Sequence, residues 1–335
     1  MGQPSPAITG DTFLRAPRAT ADQLKPGDIA VIGVGHELTK ISRPGTAYGP
    51  RHIREATQMA DWGGELYAAP DLGNGFVDIV NHTAYRYERK GIYDLGDVPL
   101  GPDLRLNRDR IRAAIGAISK RGAIPLTLGG DHFLTHPTVE GVVDGDPGPM
   151  AFLSVDMHMD LALEVPEFGT HNGGTYLRRL IEEGTVDPER VVIFGVEPRV
   201  FREEWEFVLR SGIQVIPAAH IAERGVKDTL GPALEKALDG ADGLYATLDI
   251  DAGARHQVPG TGNQTGVLGM SAQEMLQVCS HISTLPLKGF DIVEFSPPLD
   301  PSGETAGLCA AMALSVLRPR LYEQTEYPTV SETDA

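Results

Sequence analysis

The alternation of short apolar segments with helical patterns is the feature that most limits how this chain can fold. Strands are predicted where apolar and β-branched residues cluster, at residues 29–32, 123–128, 150–155, 191–196, 214–217, 243–248 and 290–295. Helices are predicted at residues 50–59, 103–121, 172–183, 202–211, 227–238, 272–282 and 303–317. Strands that alternate with helices pair in parallel and are covered on both faces, so the predicted fold is α/β with a mostly parallel sheet.

Length and charge exclude several classes of protein. The 335 residues suffice for one large α/β domain, and no apolar run approaches the roughly 18 residues that cross a bilayer. The net charge of −17 opposes nucleic-acid binding and favours a cationic ligand, although a solvated acidic surface explains it equally well. The start of the chain does not have the pattern of a secretory signal, so a cytoplasmic location is expected.

The two ends of the chain differ from its middle in composition. Residues 1–26 are rich in Pro, Thr and Ala and are expected to form an N-terminal arm, and residues 325–335 form an acidic tail. Residues 27–324 contain no repeat and no linker, which indicates a single domain. Both cysteines, Cys279 and Cys309, lie in apolar helical segments and are expected to be buried thiols without a catalytic role.

A dense group of possible metal ligands follows one predicted strand. The strand at 150–155 runs into Asp156, His158 and Asp160, and the two-residue period of an extended chain would put all three side chains on one side. Taken alone, such a pattern is more often a capped turn or a salt-bridged strand end. The pattern is therefore a weak indication of a metal site by itself.

Two further strand ends strengthen the prediction. Asp249 and Asp251 follow the strand at 243–248, where unpaired carboxylates are costly. His132 follows two glycines after the strand at 123–128, and the preceding Asp131 is either a turn residue or a helix N-cap. Ligands bind beyond the carboxyl ends of parallel strands, so the three clusters are expected to meet. Four aspartates and two histidines without thiolate balance two divalent ions and suit Mn²⁺, Ni²⁺, Co²⁺ or Zn²⁺ better than Ca²⁺.

At these motifs the chain resembles the ureohydrolase family, which includes arginase, agmatinase and guanidinobutyrase. The resemblance also covers residues 42–55, 258–262 and 291–298, and it extends over nearly the whole chain. It implies a three-layer α/β/α domain over residues 27–324 and an enzyme that hydrolyses C–N bonds of guanidino compounds. It further implies a trimer or hexamer, in some cases with a paralogous subunit.

The resemblance assigns roles to individual residues. Two Mn²⁺ or Ni²⁺ ions would share a bridging hydroxide that attacks the guanidino carbon, and Asp160 would also pass on its proton. Glu294 would receive the substrate's guanidinium, with an internal salt bridge as the less favoured alternative. His171 would transfer protons to the leaving amine, although a helix cap or a surface histidine is nearly as plausible. The metal ligands implied are His132, Asp156, His158, Asp160, Asp249 and Asp251.

Some residues beside these motifs depart from the family's pattern and concern the substrate. Phe133, Met157 and Met159 stand where many relatives have small or hydroxylated residues, which favours an apolar substituent, although internal repacking explains them equally well. Residues 161–170 lack the polar pattern that holds the α-carboxylate of arginine. The candidate substrates are a small alkylated guanidine or a biguanide such as metformin, which the apolar residues favour, and otherwise agmatine or guanidinobutyrate.

Two alternatives of a different kind follow from the same residues. One is a non-catalytic partner subunit of a hetero-oligomeric ureohydrolase, against which the complete ligand set argues. The other is a deacetylase of similar architecture, which needs one zinc ion and fewer ligands. The number of metal ions bound per chain separates them, with two expected for the ureohydrolase, one for the deacetylase and none for the partner subunit.

Overall fold

Eleven strands and nine helices make up the described part of a computed structural model, which covers residues 12–67, 75–78, 83–87, 90–263 and 269–326. The strands are β1 Ile29–Val34, β2 Gly75–Asp78, β3 Thr83–Tyr87, β4 Ile92–Asp97, β5 Ile124–Gly129, β6 Met150–Val155, β7 Val191–Val196, β8 Gln214–Pro217, β9 Gly243–Asp249, β10 Leu287–Val293 and β11 Tyr322–Glu326. The helices are α1 Gly49–Tyr67, α2 Leu104–Ser119, α3 Thr135–Gly145, α4 Tyr176–Glu182, α5 Arg202–Ser211, α6 Ala218–Arg224, α7 Val226–Leu238, α8 Ala272–Ile282 and α9 Glu304–Leu321.

Eight of these strands form one sheet in the order β4-β1-β5-β10-β9-β6-β7-β8, and every neighbouring pair is parallel. Alternate strand residues enter two apolar clusters. Val31 belongs to the cluster that packs on α7, α8 and α9, whereas Ile32 belongs to the cluster that packs on α2, α3 and α4. The two-residue side-chain period of each strand thus provides a core on both faces of the sheet. The predicted α/β fold with a parallel sheet is confirmed.

The register of the central strands aligns their carboxyl ends. Leu248 of β9 pairs with Val155 of β6 on one side and with Ile292 of β10 on the other, and Ile292 pairs in turn with Leu128 of β5. The residues that follow these four positions therefore emerge at one edge of the sheet. The strand predicted at residues 290–295 lies earlier in the chain, because β10 spans Leu287–Val293 and ends before Glu294.

Several elements were not predicted, and tertiary contacts explain them. β4 carries polar residues because its Asp94 is a buried acceptor for Arg54 and for the backbone of Phe13. α3 contains Gly141 in its interior, where a Cβ would come within 2.6 Å of the Arg112 carbonyl oxygen in α2. Glycine at this position permits close packing of the two helices, at some cost in helix propensity. A second, antiparallel sheet, β11-β3-β2, was not predicted either.

The predicted arm and tail fall partly outside the described residues, which exclude 1–11 and 327–335. Phe13 and Leu14 are fully buried, and the backbone N–H of Leu14 donates to Thr57 Oγ1 of α1 over 3.0 Å. The described part of the arm is therefore packed onto the domain. Cys279 and Cys309 are buried free thiols. Among the described residues, no helix is both long and apolar enough to span a membrane.

Candidate metal centre

The aligned strand ends bring the six predicted ligands into two adjoining groups. His132 Nδ1 lies 3.2 Å from Asp156 Oδ2, 3.1 Å from Asp160 Oδ2 and 3.0 Å from Asp249 Oδ2. His158 Nδ1 lies 3.4 Å from the other oxygen of Asp156 and 3.2 Å from Asp251 Oδ2. Asp156 thus stands between the two groups, as a carboxylate that bridges two metal ions would.

The buried donor atoms fit divalent cations. His132 Nδ1, Asp156 Oδ2 and both carboxylate oxygens of Asp251 are buried without a hydrogen-bond partner. Unpaired polar atoms of this kind are costly, and a coordinated cation would satisfy all of them. Burial, together with the charge of Asp156, raises the pKa of Asp160 to about 8, and burial with the charge of Asp251 raises the pKa of Asp249. The carboxylates therefore need a compensating positive charge to be ionised together.

The predicted ligand side chains are brought together by turns that follow the strands, and not by extended segments. Asp156 Oδ1 accepts a hydrogen bond of 2.6 Å from the backbone N–H of His158, and Asp249 Oδ1 accepts one of 2.7 Å from that of Asp251. Asp160 has a φ of 52°, in the left-handed region that aspartate tolerates better than most residues. The expected extended alternation of residues 156–160 is therefore wrong, because the chain turns as soon as β6 ends.

A buried hydrogen-bonded chain orients His132. Its Nε2 lies 2.9 Å from Thr247 Oγ1, and that hydroxyl donates to Asp291 Oδ1 over 2.6 Å. Because the hydroxyl proton is committed to Asp291, Nε2–H donates to Thr247 and the lone pair of Nδ1 is left for a metal. Tyr176 stacks on the imidazole with 4.3 Å between ring centroids. The sequence analysis did not identify Thr247 or Asp291, although polar residues inside apolar strands could have signalled them.

This chain leads to a prediction about metal affinity. Thr247→Val keeps the β-branched shape but removes the acceptor for His132 Nε2, so metal affinity is expected to fall about 10- to 100-fold. Calorimetric titration of the metal-free protein with Mn²⁺ measures this change, and Thr284→Val, at an exposed position, is the matched control. Equal affinities of the Thr247 variant and the parent would contradict this role.

Asp131 anchors the loop that follows β1. It occupies the N-cap position before His132 but makes no side-chain capping bond. Its carboxylate instead contacts His36 Nδ1 at 2.7 Å and accepts from Thr39 through the backbone N–H at 3.0 Å and the hydroxyl at 2.9 Å. The residue before one ligand therefore holds the loop that carries Lys40.

Glu294 lies at the same edge and is paired within the protein. It follows β10 with a φ of 67°, and its Oε1 accepts a hydrogen bond of 2.8 Å from the backbone N–H of His132. Its Oε2 forms an ion pair with Lys40, and the side chains of both residues are 4% exposed. The salt bridge considered for Glu294 is therefore present, and Lys40 is a site residue that the sequence analysis missed.

A cavity of about 680 Å³ opens onto the centre, and Lys40, Glu294 and several of the ligands line it. Met157 and Met159 also line it, and their contact with a substrate stays a prediction. Phe133 is not among the described lining residues, because its ring packs on His36 with 4.8 Å between centroids. Further apolar side chains in the wall are Ile41, Ala162, Val165, Val200 and Phe201.

His171 contacts residues outside the predicted ligand set. Its ring centroid is 5.8 Å from that of His136, its Nε2 is 3.9 Å from Glu183 Oε1, and it is not among the described residues that line the cavity. From the same loop, Gly173 reaches the centre, where a Cβ would lie 3.5 Å from His132 Cβ. The loop therefore places Gly173 against His132, and the catalytic role of His171 stays a prediction.

Comparisons with known proteins agree with this arrangement. Residues 27–318 match the model of the arginase family. Guanidinopropionase from Pseudomonas aeruginosa is 30% identical over 310 residues, which cover 91% of this chain and 90% of the relative. Mitochondrial agmatinase from Gallus gallus is 30% identical over 301 residues, which cover 87% and 80%. The solved structure of proclavaminate amidinohydrolase from Streptomyces clavuligerus has a TM-score of 0.76 and 26% identity, and the match covers 92% of this chain and 96% of that one.

Enzyme class and cofactor type follow from the family. Its curated members are hydrolases that act on C–N bonds, and the family depends on a binuclear manganese centre. The predicted class and the predicted pair of divalent ions are thereby confirmed, and the donor atoms of this chain fit them. By the length of the family match, the identity of its relatives and the shared fold, this chain belongs to the arginase family of metal-dependent hydrolases.

Proposed function

We propose that this protein cleaves a C–N bond of a guanidino compound and releases an amine with urea, or with guanylurea when the substrate is a biguanide. The observation that carries the proposal is the buried carboxylate of Glu294 in a cavity that is also lined by four of the six predicted metal ligands. A carboxylate pairs with a planar guanidinium through two parallel hydrogen bonds. The names of the relatives, guanidinopropionase and agmatinase, support the same substrate class.

Different side chains of this protein have different roles in the proposed reaction. In this proposal His132, Asp156, His158, Asp160, Asp249 and Asp251 hold the two ions. Such ions, when bound, activate water and polarise the group under attack. Glu294 binds and orients the guanidinium, and Asp160 accepts and passes on a proton. His171, whose ring centroid lies 5.8 Å from that of His136, keeps the proposed role of transferring protons to the leaving amine.

Assembly and metal identity are further parts of the proposal. We expect a trimer or hexamer of this chain or with a paralogous subunit, as in relatives of this family, and Mn²⁺ or Ni²⁺ as the working metal. Purification with either metal, followed by metal analysis and a screen of guanidino compounds for amine and urea release, tests the function. About two ions per chain with turnover supports it, whereas one ion points to the deacetylase chemistry and none to a non-catalytic subunit.

The shape of the cavity bears on the substrate. Met157, Met159, Val200 and Phe201 form an apolar part of the wall, which accommodates N-alkyl groups and offers no partner to a primary ammonium that contacts it. The charged residues of the same cavity have partners of their own, since Glu197 pairs with Arg199 at 3.2 Å and Glu204 accepts a hydrogen bond of 3.0 Å from the backbone N–H of Leu161. The wall supports a small alkylated guanidine or a biguanide such as metformin. Agmatine and guanidinobutyrate are the alternative, which the names of the relatives support.

The wall gives a prediction about relative rates. N,N-Dimethylguanidine or its biguanide counterpart is expected to have a kcat/KM about 10- to 100-fold above that of agmatine, since an unpaired buried polar group costs about 1–3 kcal/mol. Side-by-side assays at equal metal loading, with detection of urea and guanylurea, provide the measurement. Faster turnover of agmatine together with inert dimethylated compounds would contradict the apolar-wall argument.

A further inference from the structure

The ammonium of Lys40 contacts Glu294, the same carboxylate that is proposed to bind the guanidinium of the substrate. This ammonium contacts Glu294 Oε2 and donates to Asn263 Oδ1 over 2.8 Å. Glu294 Oε1 is already engaged by the backbone N–H of His132. Both oxygens of the proposed guanidinium acceptor therefore have protein partners, and one of these partners is positively charged.

The position of Lys40 is built into the fold. Asp131, directly before a metal ligand, holds Thr39 through its backbone N–H and hydroxyl. Farther along the same loop, Glu37 accepts from the backbone N–H groups of Gly45 and Ala47, at 2.8 Å each. The loop is thus tied on both sides of Lys40, and the ammonium faces the cavity next to Glu294.

A guanidinium that binds Glu294 must share one carboxylate with this ammonium in a largely buried place. Like charges at such a distance repel strongly when solvent is scarce. The repulsion is relieved when the ammonium turns from Glu294 to an anionic group on the substrate itself. A second cation on the substrate has the opposite effect and adds to the repulsion.

We propose that Lys40 is a specificity-determining residue that makes the cavity select guanidino substrates with an anionic tail over those with a cationic tail. The inference rests on the proposed function. The apolar wall by itself disfavours any charged tail, and the Lys40 ammonium outweighs this effect only for an anionic tail. A substrate with a neutral alkyl tail of the same length is therefore expected to rank between the other two.

The test uses three compounds that differ mainly in the charge of the tail, namely 4-guanidinobutyrate, N-butylguanidine and agmatine. On the metal-loaded parent enzyme, kcat/KM is expected to fall in that order. In Lys40→Gln, which keeps polar contacts to Glu294 and Asn263 without the charge, the ratio of guanidinobutyrate to agmatine is expected to fall about 10- to 100-fold. Lys40→Arg should keep most of the preference. Lys120→Gln, at an exposed position at the end of α2, makes the same charge change and should alter nothing.

Each contrary result overturns the proposal. Equal gains of Lys40→Gln on all three compounds would show that Lys40 only blocks the site, and equal losses would show that it only neutralises Glu294. If Lys40→Gln does not fold, the order on the parent decides, because turnover of agmatine equal to or faster than that of guanidinobutyrate refutes the selectivity. Calorimetric measurement of the binding of the same compounds tests the selectivity due to Lys40 separately from the proposed hydrolysis. A parent that hydrolyses neither these three compounds nor any other guanidino compound or biguanide of the screen refutes the proposed function, while the order of the three affinities still tests Lys40.

Discussion

Replacement of Asp156 or Asp249 by alanine is expected to abolish hydrolysis and to lower bound metal well below two ions per chain. Asp156 stands between the two histidine groups, and Asp249 lies 3.0 Å from His132 Nδ1. Each change removes a charged ligand from a compact buried cluster. A metal ion that has lost such a ligand is held too weakly to remain at both positions.

Metal content and turnover are measured on the same purified sample, by elemental analysis and by amine release. Asp109→Ala is the matched control, because this carboxylate is exposed on α2 and pairs weakly with Arg105 at 3.8 Å. A thermal melt of the metal-free proteins shows whether the fold survives. Full metal occupancy with normal turnover in either variant would refute the assignment of these ligands.

Glu294→Gln is expected to retain both metal ions and to lose most activity, with kcat/KM down about 10- to 100-fold or more. Glutamine keeps the shape and can still accept from the backbone N–H of His132, but it removes the charge that pairs with a guanidinium. Hydrogen bonds to charged partners contribute about 1.5–3 kcal/mol, which sets the magnitude. Steady-state kinetics on the best guanidino substrate, with metal analysis alongside, is the measurement.

The ion pair between Lys40 and Glu294 allows a test of whether Glu294→Gln loses activity through lost stability or through lost substrate binding. Loss of the Glu294 charge leaves Lys40 buried without its paired carboxylate, and breaking a buried pair costs about 3–5 kcal/mol of stability. The double variant Lys40→Met with Glu294→Gln is therefore expected to recover melting temperature without recovering activity. Glu206→Gln, at an exposed position on α5, is the control. Recovery of activity together with stability in the double variant would make Glu294 a structural residue only.

The ligand set could be predicted from sequence because each ligand lies beside a local pattern. Asp249 is the last residue of β9, Asp156 directly follows β6, and His132 lies shortly after the end of β5. Each of these central strands is an apolar run in the sequence. Parallel strands then bring their carboxyl ends to one edge, whatever the loops between them do. Strand residues in the two apolar clusters follow the same two-residue period that made the fold class predictable.

Orientation at the end of the strand was not predictable in the same way. The backbone bonds to Asp156 and Asp249, and the positive φ of Asp160, turn the chain immediately after the strands. The motif predicts a catalytic role for His171, whereas the residue of this loop that lies directly against His132 is Gly173. A shift of two residues in a loop changes which residue lies against the predicted ligands. Loops have no periodic sequence pattern from which such a shift could be predicted.

By itself, the sequence determined a parallel α/β sheet, the edge at which chemistry occurs and the six residues expected to hold metal, because these depend on contacts within a few residues. Only the tertiary structure decided the contacts between distant segments. Lys40 meets Glu294 across 254 positions of the chain, and Tyr245 of β9 meets Asp291 of β10 across 46. A lysine in a loop and an aspartate in a strand look like solvent-exposed residues until folding removes water from around them, and burial then makes each depend on a partner of complementary charge or hydrogen-bonding capacity.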